Sequence, residues 1–424
     1  MGFQQGLSGL NASSKALDTI GNNIANSGTV GFKAGSTQFS DVFAASLNGA
    51  GATPIGLGAR VATVVQQFTQ GNISVSNNPL DLAINGGGFF QVDDGLGGTE
   101  YSRNGQFQLD KNGYIVNAGG KQLKGIMAVN GVVSPGSPNV PLRLFNPSQS
   151  LTGSPQATGT STGATGVQAN INLDSRVASI AVPFNYADPT TYNQSTAVTV
   201  YDSIGNPHTY SMYFVKTGAN AWDVYSTLTN PSGAVPTFTN LGLAGSLGFS
   251  TSGAITSAPI AETATAAQLG YAGAVNAMAF NLDFTGSTQF GSAFAVNTLV
   301  QDGYAAGTLA GFTVGSDGTV LGNYTNGQST VVGQAVLATF RNPQGLQPLG
   351  NNLWAATPDS GSSILGTPGS SGQFGVIQSA ALEDANVDLT AELVSMITQQ
   401  RVYQANAQTI KTQDSILQTL VNLR

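Results

Sequence analysis

Cysteine is absent from the 424 residues, and histidine occurs once, as His208. The lack of cysteine excludes disulfides, thiolate nucleophiles and cysteine-based zinc or iron–sulfur sites. A single histidine excludes multi-histidine metal sites as well. As a catalytic base, His208 would need a nucleophile and an orienting acid, and no motif supplies them. We therefore predict that the chain is not an enzyme and has no catalytic, metal-binding or cofactor-binding residue. We expect His208 to be a surface or half-buried strand residue.

Charge is also scarce, because charged residues make up 8% of the chain and the formal net charge is −7. Ordinary soluble domains carry about 25% charged residues. The acidic balance argues against a nucleic-acid or membrane partner. No apolar run reaches the roughly 18–20 residues that cross a bilayer, and the first residues show no cleavable secretory signal. A surface with little charge repels its own copies weakly, which favours self-association.

Most of the chain has the pattern of strands and turns. Glycine accounts for 55 residues, while hydrophobic residues make up 41%, which is enough to build cores. Asn104-Gly105, Asn112-Gly113 and Asp317-Gly318 predict tight hairpin turns, since Asn-Gly and Asp-Gly readily adopt positive φ. Residues 196–200 and 209–215 flank a further candidate hairpin. The middle of the chain is therefore predicted to be largely β.

The two ends differ from the middle, because each carries apolar or small residues at alternating spacings of four and three. This is the a/d pattern of a coiled coil. Ser14, Gly21, Gln400 and Asp414 interrupt the pattern, so each helix alone should be marginal in water. Asp388 or Thr390 suits the N-cap of the second helix. The predicted assembly seam comprises Phe3, Leu7, Leu10, Leu17, Ile24, Leu389, Leu393, Met396, Tyr403, Ile410, Leu417 and Val421.

Two interpretations of these helices remain open. In the simpler one, they are ordinary amphipathic helices that pack on a core of their own chain. In the other, neighbouring subunits complete the seams. Both give the same fold class, which is mainly β with a terminal α-helical coiled coil and nested β domains inserted between the N- and C-terminal helices.

Composition divides the chain into nested segments. Clusters of Pro, Ser, Thr and Gly at 146–166, 229–258 and 357–373 predict loops or linkers. From the ends inward, the predicted domains are a helical coiled-coil inner domain at 1–30 and 386–424, linkers at 31–70 and 361–385, a middle β domain at 71–145 and 297–360, and an outer β domain at 146–296.

Several segments resemble bacterial flagellar rod and hook proteins. Residues 382–390 and 396–406 resemble the closing signature of that family, and 84–125 and 337–354 resemble its shared β domain. The last stretch, 405–424, resembles hook proteins in particular. The N-terminal signature of the family is matched by Asn22, Asn23, Ile24, Ala25, Asn26, Gly31, Phe32 and Lys33.

The resemblance implies a structural subunit. Hook proteins polymerise into a short curved tube, a universal joint that passes torque from the rod to the filament. Their terminal helices form a coiled-coil inner domain, with β domains outside it. The implied partners are other copies of the chain, rod proteins, hook–filament junction proteins, the hook cap protein and the flagellar type III export apparatus. The implied location is the extracellular flagellar hook, reached without a cleaved signal peptide.

Two other functions remain as alternatives. A distal rod protein of the same family would form a straight tube, and such proteins generally lack a large outer insert like 146–296. A secreted adhesin or glycan-binding β protein would predict a cleavable signal and exposed aromatic platforms.

Among the signature residues, Asn23, Asn26, Gly31 and Phe32 are expected to shape the connection from helix to β domain, although an ordinary helix stop explains their local chemistry equally well.

Overall fold

A computed structural model describes residues 2–42, 56–95, 97–129, 131–134, 136–145, 152–160, 166–230, 237–270 and 275–422. The chain forms two compact units. The terminal unit comprises Met1–Gln149, Gly311–Asn323 and Ser329–Arg424, and the central unit comprises Ser150–Ala310 and Tyr324–Gln328. The predicted fold class is confirmed, since strands predominate and one helix stands at each end. Within the described ranges, no helix combines the length and apolarity needed to cross a bilayer.

The α-helices of the described residues are α1 (Gly2–Ala25) and α2 (Leu389–Asn422). Asp388 caps α2, because its Oδ1 accepts hydrogen bonds from the backbone N–H groups of Thr390 and Ala391 at 2.9 and 3.1 Å. A side-chain oxygen at this position satisfies donors that the first helical turn leaves unpaired. Of the two predicted caps, Asp388 is therefore confirmed. Short 3₁₀ turns lie at Pro189–Thr191 and Pro343–Gly345.

The first ten strands belong to the terminal unit, and all but β1 and β2 have six residues or fewer. They are β1 (Gly35–Val42), β2 (Gly58–Gln66), β3 (Ile73–Val75), β4 (Leu82–Asn85), β5 (Phe89–Asp93), β6 (Thr99–Ser102), β7 (Phe107–Leu109), β8 (Ile115–Asn117), β9 (Gln122–Met127) and β10 (Asn139–Pro141). Strands β1 and β2 pair as an antiparallel two-stranded sheet, inside the segment predicted as a linker at 31–70.

The two Asn-Gly turns of this unit have different outcomes. Strands β7 and β8 pair across the Asn112-Gly113 turn, with Gly113 at φ +83°, which confirms that hairpin. The hairpin predicted at Asn104-Gly105 is wrong, since β6 pairs with β5 and β7 pairs with β8. Gly105 is needed there for close approach, because a Cβ would overlap the carbonyl oxygen of Leu82.

The next ten strands belong to the central unit. They are β11 (Thr152–Gly153), β12 (Val167–Asp174), β13 (Gln194–Tyr201), β14 (Pro207–Gly218), β15 (Ala221–Asn230), β16 (Thr237–Gly248), β17 (Ile260–Ala264), β18 (Met278–Asp283), β19 (Thr288–Phe290) and β20 (Ala295–Gln301). Strands β13 to β16 form an antiparallel meander, and the predicted β13–β14 hairpin is confirmed. A second sheet has the order β17-β18-β12-β19, with β20 also paired to β12.

The two sheets of the central unit bury one continuous apolar core. Alternate residues of β14 face this core, and the Tyr210 ring meets the Phe280 ring edge-on at a centroid distance of 5.3 Å. His208 lies on the same face and is only 1% exposed. Its Nδ1 is 2.9 Å from the carbonyl oxygen of Thr229, and its Nε2 is 3.4 Å from Oδ2 of Asp202. The expectation of a surface or half-buried His208 is therefore wrong, because strand alternation turns the ring inward.

The remaining strands are β21 (Gly307–Val314), β22 (Thr319–Tyr324), β23 (Ser329–Ala335), β24 (Leu337–Thr339), β25 (Gln347–Gly350), β26 (Leu353–Ala355), β27 (Ile364–Gly366), β28 (Val376–Ser379) and β29 (Ala381–Glu383). The Asp317-Gly318 turn joins neighbouring strands β21 and β22, as predicted, with Gly318 at φ +79°. Strand β28 pairs with β4, and β29 pairs with β3. These two pairings bring the segment before α2 alongside the segment that follows β2.

Several sequence expectations fall partly outside the described residues. The predicted loops at 146–166 and 229–258 include such positions. In its described part, the loop prediction for 229–258 is wrong, because Thr237–Gly248 forms β16 and pairs with β15. Val421 lies on α2, beyond the last residue whose side chain is described. The predicted domain boundaries stay a prediction.

Candidate assembly site

The two terminal helices pair with each other in an antiparallel arrangement. The start of α1 lies against the later part of α2, where a Cβ on Gly6 would be 3.0 Å from Cγ1 of Ile410 and one on Gly9 would be 2.8 Å from the Asn406 side chain. Near the other end of α1, Asn23 Nδ2 donates a hydrogen bond to Glu392 Oε1 at 2.9 Å. Glycines at these positions let the two helix backbones approach closely.

The opposite side of α1 packs on the β1–β2 sheet through small and polar groups. Gln5 Nε2 donates to the carbonyl of Gly56 at 2.6 Å, and Thr37 Oγ1 donates to Thr19 Oγ1 at 2.9 Å. The buried residues of α1 are also small or polar, namely Gly6, Ala12, Ser13, Ala16 and Asn23. Helix α1 is therefore held between α2 and the sheet with little apolar volume buried.

The predicted seam residues are left largely uncovered by their own chain. Phe3 is 47% exposed and Leu393 is 45% exposed. Those exposed are Phe3, Leu7, Leu389, Leu393, Tyr403 and Leu417, and those half-buried are Leu10, Leu17, Ile24, Met396 and Ile410. Ile410 contacts α1, whereas the exposed members do not form a closed seam within the chain. That neighbouring subunits complete the seam stays a prediction.

Helix α2 also exposes apolar residues that the sequence analysis missed. Val394 is 60% exposed, and Ile397, Val402 and Ile416 are exposed as well. They lie outside the single a/d stripe, so the alternating four-three spacing does not include them. An overall count of apolar residues around the helix would have found them. The apolar surface of α2 is therefore wider than a two-helix seam requires.

A buried ion cluster anchors the segment between α1 and β1. Lys33 Nζ donates to Glu383 Oε1 at 2.5 Å and to the carbonyl of Thr69 at 2.7 Å. Arg103 Nη1 donates to Glu383 Oε2 at 3.2 Å, and its Nη2 donates to the carbonyl of Gly86 at 2.9 Å. The N–H of Gly71 also donates to Glu383 Oε1, at 2.9 Å. One carboxylate thus joins three segments that are far apart in the chain.

Burial dominates the electrostatics of this cluster. The side chains of Lys33 and Glu383 are fully buried, and that of Arg103 is 4% exposed. Loss of hydration lowers the pKa of Lys33 and that of Arg103, although the Glu383 carboxylate opposes both shifts. Two buried cations therefore depend on a single anion, and removal of that anion would leave both uncompensated.

Three signature residues shape the connection from α1 to the β region. Asn23 Oδ1 accepts from the N–H of Gly35 at 2.8 Å, while its Nδ2 donates to the Gly35 carbonyl at 2.8 Å. Gly31 has φ +70°, and a Cβ there would lie 2.5 Å from the backbone nitrogen of Asn104. Lys33 belongs to the ion cluster. Glycine at 31 is therefore required both by conformation and by space.

The other signature residues have local or peripheral positions. Asn26 Nδ2 donates to the Asn22 carbonyl at 2.9 Å, at the end of α1. Asn22 and Ala25 are exposed, while Ile24 and Phe32 are half-buried. The structure therefore brings Asn23, Gly31 and Lys33 into one junction and leaves Asn22 and Ala25 outside it.

Sequence analysis missed three residues of the junction. Glu383 and Arg103 complete the ion cluster, and Asn386 Oδ1 accepts from the N–H of Ala34 at 2.7 Å while its Nδ2 donates to the Gln67 carbonyl at 2.7 Å. A signal for Glu383 exists, because strand alternation places it on the same buried side of β29 as Ala381. Nothing near Arg103 in sequence identifies its partner, which is 280 residues away.

Comparisons with family models match four parts of the chain. The flagella basal body rod protein model matches residues 3–33, and the flagellar hook protein FlgE/F/G D1 domain model matches 83–184. The flagellar basal body protein FlaE D2 domain model matches 172–304, and the flagellar basal body rod FlgEFG protein C-terminal model matches 378–423. The match at 3–33 contains the signature residues and all of α1 except Gly2, and the match at 378–423 contains the whole of α2.

Full-length relatives share the same description. The chain is 44% identical over 428 residues to the flagellar hook protein FlgE of Salmonella typhimurium, with 100% of both chains covered. It is 43% identical over 432 residues to that of Escherichia coli, again with 100% of both covered. The Rhizobium meliloti protein is 35% identical and is 98% covered. A solved structure, that of Helicobacter pylori FlgE2, covers 73% of this chain and 99% of its own at 15% identity, with a TM-score of 0.48.

Proposed function

The chain belongs to the flagellar hook protein family, and on this premise we propose that it is the structural subunit that self-assembles into the curved tube of the hook. In this role it acts as a universal joint that passes torque from the rod to the filament. The family relatives are structural hook proteins, and we propose that this chain likewise has no enzymatic activity.

The apolar surface left open on the helix pair supports assembly through the chain ends. Helices α1 and α2 bury mainly glycine, alanine and polar groups against each other and the β1–β2 sheet, while Phe3, Leu7, Leu393 and Ile397 face outward. Each large apolar side chain gains about 1.5–3 kcal/mol when it is fully buried. Contact with neighbouring copies would recover that free energy, so the predicted seam of Phe3 to Ile24 and Leu389 to Val421 is proposed to form between subunits.

A contact of this kind gives a helical tube if it is head-to-tail. Such an interface joins one surface of a subunit to a different surface of the next, and it makes a filament rather than a ring when its rotation does not close. We propose that bending of the tube comes from the central units, whose polar contacts shift between alternatives as each strand of the tube shortens and lengthens. A protein surface with 8% charged residues suits such wet, exchangeable contacts.

Membership of the family supports a proposal for the specific partners and for the export route. We propose that the tube contacts rod proteins at one end and hook–filament junction proteins at the other, and that it grows beneath the hook cap protein. Its location is the flagellar hook. Export through the flagellar type III apparatus, without removal of a signal peptide, is part of the same proposal. We propose no nucleic-acid or membrane partner.

The experiment is electron microscopy of the purified full chain after polymerisation is induced. A variant with Leu393→Lys and Ile397→Lys places charges on the open face of α2, and we expect it to form no tubes at concentrations where the unaltered chain does. The matched control is Gln404→Lys with Gln408→Lys, which adds the same charge at exposed polar positions of the same helix.

Each outcome separates the candidate functions. Curved tubes from the unaltered chain and the control, but not from the apolar-face variant, support a hook subunit assembled through its ends. Straight tubes would favour the distal rod protein. Monomers under all conditions would contradict self-assembly of this chain.

A further inference from the structure

The terminal unit contains an open pocket whose described lining residues lie outside α1 and α2. Its volume is about 490 Å³, within the roughly 300–1,000 Å³ typical of ligand pockets. The wall is apolar on one side, formed by Phe68, Phe89, Phe340 and Ile364. Arg103 and Arg341 are its charged lining residues, and no carboxylate stands among the described residues that line it. The pocket therefore combines an apolar wall with positive charge.

The two arginines differ in how they are held. The Arg103 guanidinium lies 5.4 Å from the centroid of the Phe89 ring and pairs with Glu383. Its Nε is buried and has no hydrogen-bond partner among the atoms that the structure describes. Arg341 is exposed, and in the described part of the chain it takes part in no ion pair. Glu383 also pairs with Lys33, so this cluster holds two cations and one anion.

We propose that this pocket receives an acidic side chain, flanked by an apolar one, from a second copy of the chain in the polymer. A carboxylate can form a bidentate hydrogen-bonded pair with a guanidinium, and an adjoining apolar group would cover the apolar wall of the pocket. The second copy is the occupant because the chain carries 21 acidic residues against 14 basic ones. In a polymer of such subunits, carboxylates outnumber cationic side chains, so an exposed arginine meets more acidic than basic groups.

The proposal rests on self-assembly, but it assigns a contact outside the terminal helices. It predicts that Arg341 contributes to polymer stability without contributing to the fold of the free subunit. Arg341 is exposed and has no ion-pair partner among the residues that the structure describes, so its replacement should leave the unfolding of the monomer unchanged. Arg103 is unsuitable for the test, because its loss would disturb the buried ion cluster.

The first test compares critical concentrations for polymerisation, measured by sedimentation. Arg341→Gln should raise the critical concentration about tenfold, and Arg341→Glu should raise it further. The matched control is Lys111→Gln, which removes an exposed cation from the β7–β8 turn of the same unit. Equal critical concentrations for Arg341→Gln and Lys111→Gln would overturn the proposal.

The absence of cysteine permits a second, direct test. Arg341→Cys creates a single thiol, to which a photoactivated crosslinker is attached before polymerisation. We expect crosslinks between two copies in the polymer and none in the monomer, with the captured peptide containing Asp or Glu. Crosslinks only within one chain, or to a peptide without an acidic residue, would overturn the proposal. Failure of the unaltered chain to polymerise would instead contradict the proposed function, on which this contact depends.

Discussion

The core of the central unit and the pair of terminal helices are stabilised in opposite ways. The central unit buries large side chains such as Trp222, Tyr210 and Phe214 between two sheets, and all three are fully buried. The helix pair buries Ala12, Ala16 and polar groups, and keeps its large apolar residues outside. The first region completes its core within one chain. The second leaves apolar side chains exposed, and contact with a neighbouring copy would bury them. A chain end that drives polymerisation requires such a surface.

The difference should be largest in a direct comparison of core and seam substitutions. Phe214→Ala should lower the free energy of unfolding of the central unit by about 3–5 kcal/mol, since it removes a fully buried ring. Leu393→Ala should change the stability of the monomer by no more than about 0.5 kcal/mol, because its side chain is already exposed. Urea unfolding followed by regional hydrogen exchange measures both. A large loss in the Leu393→Ala monomer would show that the seam is already closed within the chain.

The junction connects the helix pair to the β region. Loss of its carboxylate should destabilise the terminal unit almost as much as Phe214→Ala destabilises the central unit. Glu383→Gln leaves Lys33 and Arg103 buried without a counter-charge, so we expect a loss of about 3 kcal/mol from the terminal unit. Hydrogen exchange should increase in β3 and β29 and stay unchanged in the central unit. Asp384→Asn, one residue along the chain and only half-buried, serves as the control. Similar effects from the two variants would remove the special role of Glu383.

The close approach of the helices should depend on their glycines. Gly9→Val places a branched side chain where even a Cβ would be 2.8 Å from Asn406, and we expect a cost of about 1–3 kcal/mol and separation of α1 from α2. Gly21→Val is the matched control, because a Cβ on Gly21 meets nothing within 4 Å. Circular dichroism and hydrogen exchange of α1 measure the effect. Equal behaviour of the two variants would contradict the antiparallel contact.

The smallest effect is expected at the start of α2. Asp388→Ala removes the acceptor of two backbone N–H groups and should cost about 1 kcal/mol. Fraying of the first turn should appear as faster exchange near Leu389. Asp388→Asn should restore most of the protection, since its side-chain oxygen can still accept. If neither variant changed the exchange of this turn, the cap would not stabilise the helix.

Local chemistry explains which features could be predicted from sequence. The Asn112-Gly113 and Asp317-Gly318 turns and the Asp388 cap each depend on a few neighbouring residues, and all three are present in the structure. The Asn104-Gly105 prediction failed although its local pattern is the same. Packing of Gly105 against Leu82, a partner outside the local pattern, determined the outcome there.

The sequence alone therefore determined the mainly β composition, the two terminal helices and, through the family signature, the class of protein. Tertiary structure decided that His208 is buried, that Glu383 unites Lys33 and Arg103, and that Gly6 and Gly9 of α1 lie close to α2. Propensity, turns and caps act over a few residues, so they can be recognised within a short window. The ion cluster joins positions up to 350 residues apart, and its geometry exists only once the strands have paired.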